Sequence, residues 1–213
     1  QYAFSLKTAE AAFIDAEKLF AEESFKTKKG WKKEGEHSAI AVWAKSTPQG
    51  KIISVSAVLD CPLEAAMNET WRGIDTLTSW NTQINYAEII VTLSDHADIL
   101  IYGNNDVLVV TGREFLTTRL YRKTGDGYIM ASRSVELPEK PEGTERIRAN
   151  VILGASRLRV DPTNARRTLC DVVMLGDLKG TMPKQIVDTV LPTVMVMATE
   201  LNIKHFKEIG KSA

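Results

Sequence analysis

The period of the hydrophobic pattern changes twice along this chain, which constrains the fold more than any single motif. Over residues 5–25 apolar side chains recur at helical spacing, with Leu6, Ala9, Phe13, Ala16 and Phe20 on one stripe. From Trp31 the period falls to two. Ile40 and Val42, then Ile53, Val55, Ala57 and Leu59, alternate with polar partners around the turn residues Thr47-Pro48-Gln49-Gly50. A short helix is expected from Leu63 to Trp71, with Pro62 at its start and Asp60 as its cap, and another around Asp75 to Trp80. Four further strands follow at Ile84–Leu93, Asp98–Tyr102, Arg113–Lys123 and Gly127–Leu137, and Thr124-Gly125-Asp126-Gly127 is a strong hairpin signal. Two longer strands, Arg146–Val160 and Thr168–Leu175, flank the turn at Asp161-Pro162-Thr163-Asn164. Gly154 changes the alternation phase and predicts a bulge.

Helical spacing then returns in one long segment, Pro183 to about Lys207, with Pro192 inside it. With no repeat and no linker-like stretch, this order predicts one α+β domain over residues 1–213. An extended antiparallel sheet closed by one amphipathic helix is a route to a large apolar cavity. The same stripes also fit a solid core, and periodicity does not separate the two.

Charge and cysteine content narrow the function classes. The chain carries 27 Lys and Arg against 27 Asp and Glu, which argues against a dedicated nucleic-acid binder. Cys61 and Cys170 are its 2 cysteines, lie in apolar surroundings and have no metal-ligand spacing, so they read as reduced thiols of a cytoplasmic protein. No run of about eighteen consecutive apolar residues marks a membrane span. The opening Gln1-Tyr2-Ala3-Phe4 reads as an excised domain, leaving room for membrane-anchoring or targeting segments outside this chain. His37, His96 and His205 lie on three separate elements. No nucleophile elbow, zinc-protease motif, phosphate loop or dinucleotide fingerprint occurs, so no catalytic residue, cofactor or metal is assigned. Asp95 and Asp98 beside His96 fit a hairpin turn better than a metal cluster.

Four segments are more specific. They are Asp60-Cys61-Pro62 before a helix, Ser79-Trp80-Asn81 before a strand, Gly112-Arg113-Glu114-Phe115 with Arg119 beyond it, and Gly176-Asp177-Leu178-Lys179-Gly180 followed by Met182-Pro183. In this order they resemble the START (steroidogenic acute regulatory protein-related lipid transfer) domain family over nearly the whole chain. The nearest branch is that of the steroidogenic acute regulatory protein, which includes insect carotenoid-binding relatives.

The resemblance implies a helix-grip fold, a curved antiparallel sheet around a long C-terminal lid helix. It also implies no catalysis: one apolar lipid, a sterol such as cholesterol or a hydroxylated carotenoid such as lutein, is held in a tunnel and moved between membranes by a monomer in transient membrane contact. In the sterol-binding branch an arginine matching Arg119 enters the tunnel and pairs with an acid, as a buried guanidinium must. The acid would follow Tyr102, where this chain has Gly103, and Asp106, Asp98 and Asp171 are the possible substitutes. The expected wall comprises Phe115, Thr117, Arg119 and Tyr121 on one strand, Ile99 and Ile101 on its neighbour, and Ile147, Ala149, Asn150 and Val151. Val187, Val190, Leu191, Val194 and Leu201 of the lid complete it. The loop Asn104–Gly112 is expected at the entrance, and Lys184, Lys204, Lys207 and Lys211 near lipid headgroups, though a solvated helix face also explains these lysines. The alternatives are a hydrolase or cyclase on a similar fold, and a ligand-sensing regulatory module.

Overall fold

The computed structural model describes residues 2–37, 40–107, 110–181 and 184–213. Met182 and Pro183, expected to open the last helix, lie outside the described residues, as does the side chain of Lys184. Helices α1 (Ala3–Ala21) and α2 (Glu23–Thr27) come first, followed by strands β1 (Lys32–His37), β2 (Ile40–Thr47) and β3 (Gly50–Leu59). Helices α3 (Leu63–Arg72) and α4 (Leu77–Trp80) lead into β4 (Ile84–Ser94), β5 (Ala97–Asn104), β6 (Arg113–Thr124) and β7 (Gly127–Ser134). The short β8 (Ile147–Arg148), β9 (Asn150–Asp161) and β10 (Asn164–Asp177) precede α5 (Lys184–Ser212). The predicted N-terminal helix is thus two, broken at Glu22. Asp60 does not cap α3: Pro62 occupies the N-cap position, and the Asp60 carboxylate accepts from Arg167 Nε at 2.9 Å.

Among the described residues all ten strands join one sheet in the order β1-β2-β3-β10-β9-β7-β6-β5-β4, with β8 pairing parallel to β6 and the other pairs antiparallel. The two rims differ from the centre. β1 reads Lys-Lys-Glu-Gly-Glu-His, and β4 shows three register shifts against β5 with no fully buried residue. The outer face packs on α1, where Ala9, Ala12, Phe13, Ala16 and Phe20 meet Leu120, Ala131, Leu153 and Leu175. The inner face is covered in two parts. Towards one end α3 and the C-terminal part of α5 bring Trp71 and Phe206 against Leu59 and Leu158; beside them α5 brings Met195 over Ile53, Val55 and Ala57.

The bulge of β9 falls two residues before the predicted site. Pairing with β10 shifts between Leu175 and Gly176, which face Leu153 and Val151, so Ile152 is the extra residue. Ile152 and Leu153 both pack towards α1, and Val151 turns inward. Helix α5 runs beyond the predicted Lys207, and its Ile186–Ser212 portion is apolar enough, by length and average composition, to cross a membrane. No unbroken apolar run marks this segment in the sequence, because Asp188, Glu200 and the lysines interrupt it.

Candidate functional site

Between the inner face and α5 lies a cavity of about 240 Å³. Its wall is mostly apolar: Phe115 of β6, Val151 of β9, Val172 and Met174 of β10, and Val190, Leu191, Val194, Met195 and Ala198 of α5. Of the polar wall residues, Asn81, Gln83, Asn104, Thr111 and Arg113 belong to two hydrogen-bonded groups at the β4–β5–β6 end, and Asn150 of β9 and Thr199 and Asn202 of α5 are the others. Asn81 Oδ1 accepts the backbone N–H of Gln83 at 3.0 Å, and Asn104 Oδ1 accepts that of Arg113 at 2.7 Å. The Arg113 guanidinium is buried and donates to Thr111 O at 2.6 Å, Thr111 Oγ1 at 2.7 Å, Leu178 O at 3.1 Å and Lys179 O at 3.2 Å. It thereby ties the loop before β6 to the connection between β10 and α5. Burial lowers its pKa from the ordinary arginine value, opposed by the charge of Asp106. Gly180, at φ 80°, leaves room for this contact, since a Cβ there would stand 3.2 Å from the guanidinium. Tyr102 stacks on Phe115 with ring centroids 4.9 Å apart, and loss of solvation pushes its phenol pKa up to about 12.

Arg119 lies further along β6, outside this wall. Its Nε and one terminal nitrogen clamp the Asp98 carboxylate at 2.7 and 2.8 Å, the bidentate geometry that suits guanidinium. The same terminal nitrogen donates to Trp71 O at 2.8 Å, and the guanidinium lies 4.1 Å from the Trp71 ring centre. The pair therefore closes the last turn of α3, where a cation also meets the negative end of the helix dipole. Of the three candidate acids, Asp98 is the partner. Asp106 Oδ1 accepts from Gly112 N–H at 2.7 Å, and Asp171 pairs with Arg157 at 2.8 Å on the outer face.

The comparisons with known proteins agree with this architecture. A family model described as START domain matches residues 12–212. The chain is also 44% identical over 211 residues to steroidogenic acute regulatory-like protein 1 of Caenorhabditis elegans, covering 98% of this chain and 82% of that protein. The chain belongs to the START domain family. It is 26% identical over 179 residues to the mitochondrial steroidogenic acute regulatory protein of Bos taurus, covering 80% of this chain but only 61% of that longer protein. Human StAR-related lipid transfer protein 5 superposes with a TM-score of 0.85 over 98% of this chain and 99% of that one, at 18% identity. The helix-grip architecture of START domains is the fold described above.

Within this START domain the expected wall residues divide. Phe115, Asn150, Val151, Val190, Leu191 and Val194 line the cavity. Thr117, Arg119 and Tyr121 share the inner phase of β6 with Phe115 but do not line it, because α3 fills that end: Tyr121 packs on Trp71 at 4.7 Å. Ile99 and Ile101 point the other way, into an outer cluster with Leu116, Val135 and Leu137. Their assignment was one residue out of phase, since Asp98 and Tyr102 stand opposite the inward Arg119 and Phe115. Ala149 also faces outward, beside Leu116 and Val135, and Ile147 packs near Gly180 on the short β8. Val187 and Leu201 flank the lining stripe of α5, where Met195, Ala198, Thr199 and Asn202 stand instead. Of the expected entrance loop, Asn104, Val107, Val110 and Thr111 reach the wall. Gln83, Tyr102 and Arg113 were not foreseen as wall residues. Arg113 had a signal, because its motif and the Gly176–Gly180 motif meet through its hydrogen bonds.

Proposed function

We propose that this START domain binds one apolar lipid, a sterol or a hydroxylated carotenoid, between its sheet and α5 and transfers it between membranes without catalysis. The observation that carries the reading is the cavity wall, a mostly apolar surface with a minority of hydrogen-bonding side chains. Among the described residues that wall holds no carboxylate and no imidazole. His96 sits against Tyr121 at 4.9 Å, and His205 against Glu69 at 2.7 Å, so the acid–base groups an enzyme reading requires do not converge there. The names of the relatives support lipid transfer.

A volume of about 240 Å³ lies below the roughly 300–1,000 Å³ of pockets that bury a drug-sized ligand. A lipid therefore enters by displacing α5 or the loop around Val107 and Val110. The apolar length of α5 supports transient membrane contact during that opening. The free thiols of Cys61 and Cys170 support a cytoplasmic setting, and the carrier is read as a monomer.

The test is to purify the protein from its native tissue, extract the bound molecule, and record its absorption and mass spectra. A visible polyene band identifies a carotenoid, and a sterol mass without that band identifies a sterol. Neither molecule, together with no liposome-to-liposome transfer of either, overturns the reading. Binding without transfer turns it into a sensing module.

A further inference from the structure

We propose that Gln83 orients the ligand, its side-chain carboxamide hydrogen-bonding a hydroxyl on an otherwise apolar molecule. The proposal rests on the lipid-carrier reading and adds the group that reads the ligand's polar end. Among the described residues, five buried side-chain nitrogen or oxygen atoms lack a hydrogen-bond partner: those of Trp31, Trp80, Gln83, Thr124 and Arg159. Of these residues only Gln83 lines the cavity. It is 6% exposed, and its Nε2 is the unpartnered atom.

The backbone around it is fixed on both sides. Gln83 N–H donates to Asn81 Oδ1 at 3.0 Å, and Gln83 O accepts from Asn105 N–H at 2.7 Å. A buried carboxamide nitrogen without an acceptor costs stability, and a ligand that supplies one recovers that cost on binding. Arg119, the residue that the family resemblance puts in this role, instead directs its hydrogen bonds to Asp98, Thr70 and Trp71 and does not line the cavity.

The chemistry of the carboxamide selects the ligand group. Its nitrogen donates and its oxygen accepts, and a hydroxyl does both, so the match holds whichever way the amide is turned. A hydrocarbon end leaves the carboxamide unpaired, and sites built around such a bond discriminate against the deoxy analogue.

The test uses the purified chain with ligands presented in phosphatidylcholine vesicles. Dissociation constants are measured for cholesterol against 5-cholestene, its deoxy counterpart, and for lutein against α-carotene. Wild type is compared with Gln83→Leu and Gln83→Met, each also melted without ligand. Wild type is expected to prefer the hydroxylated member of one pair by about tenfold or more, the scale of one hydrogen bond. Both variants should bring that ratio to within about threefold by weakening the hydroxylated member, and melt at or above the wild-type temperature. A preference that survives both substitutions overturns the proposal. So does equal loss of both members of a pair, or a lower melting temperature without ligand, since each marks Gln83 as a packing residue. Wild type that binds none of the four molecules is a different result and overturns the lipid-carrier reading itself.

Discussion

Asp98 and Arg119 illustrate how burial changes the meaning of a charge. Both are almost fully enclosed, so each is tolerable only because the other is present. Asp98→Ala should lower unfolding free energy by about 3–5 kcal/mol in urea denaturation, the scale of an orphaned buried charge. Asp98→Leu combined with Arg119→Met should recover most of that loss. Arg119→Leu should weaken hydroxylated and deoxy ligands alike, because the pair supports α3 rather than the cavity wall. Lys28 is a different case. Burial pushes its pKa down to about 8, with the charge of Asp171 opposing and that of Arg157 adding, although its ammonium also lies 3.5 Å from the Phe25 ring centre. Between pH 8 and its unfolded value of roughly 10.5, the unfolded chain holds the proton that the folded one has released. This group's contribution to stability therefore rises with pH across that window and is flat below it. The stability of Lys28→Met relative to wild type should hold steady from pH 6 to 7.5 and fall from pH 8 to 10.5; a difference flat over the whole range refutes the shift. The need for an acid beside Arg119 was legible in the sequence, but the choice of Asp98 was not. That choice depends on the β5–β6 register, which places residue 98 opposite 119.

Strand and helix periodicity located most elements to within a few residues, because nearly every strand buries one face and every long helix one stripe. It failed where a single residue alters phase. The extra residue at Ile152 sends Val151 and Leu153 to opposite faces, and Gly154 marks it only to within two residues, because its cause is the pairing with Gly176 on another strand. Pro192 was legible, but its structural partner was not. Having no N–H, it leaves the carbonyl of Asp188, four residues earlier, without its helical donor. Lys51 Nζ of β3 donates to that carbonyl at 3.3 Å and also meets Glu34 at 3.2 Å. The defect in the lid is thus a tether to the sheet. Lys51→Met should raise amide exchange rates in residues 186–191 several-fold and leave residues 203–212 unchanged. Equal exchange in both segments of the variant and wild type would refute the tether.

At the scale of the molecule, the two ends of α5 are held differently. Its C-terminal end is fixed by close backbone packing, since a Cβ on Gly210 would stand 2.0 Å from Asp60 O. Arg166 adds a bond to Gly210 O at 3.1 Å, and His205 stacks on Trp80 at 4.0 Å. Its N-terminal half lies over the cavity through Val190, Leu191 and Val194. Opening should therefore pivot about the C-terminal end. Ligand saturation should slow hydrogen exchange at residues 186–199 and around Val107 and Val110, with little change at residues 203–212. Protection confined to the C-terminal segment would reverse the hinge.

The rims of the sheet have a further consequence. On the carrier function proposed above, an extended sheet that opens to exchange a ligand offers the surface from which strand-by-strand polymers grow. Here one rim carries Lys32, Lys33, Glu34 and Glu36, and the other is broken by three register shifts in β4. A second copy arriving edge-on meets solvated charged side chains already ion-paired within this chain on one side and an irregular ladder on the other. Both are barriers to aggregation through the sheet edges.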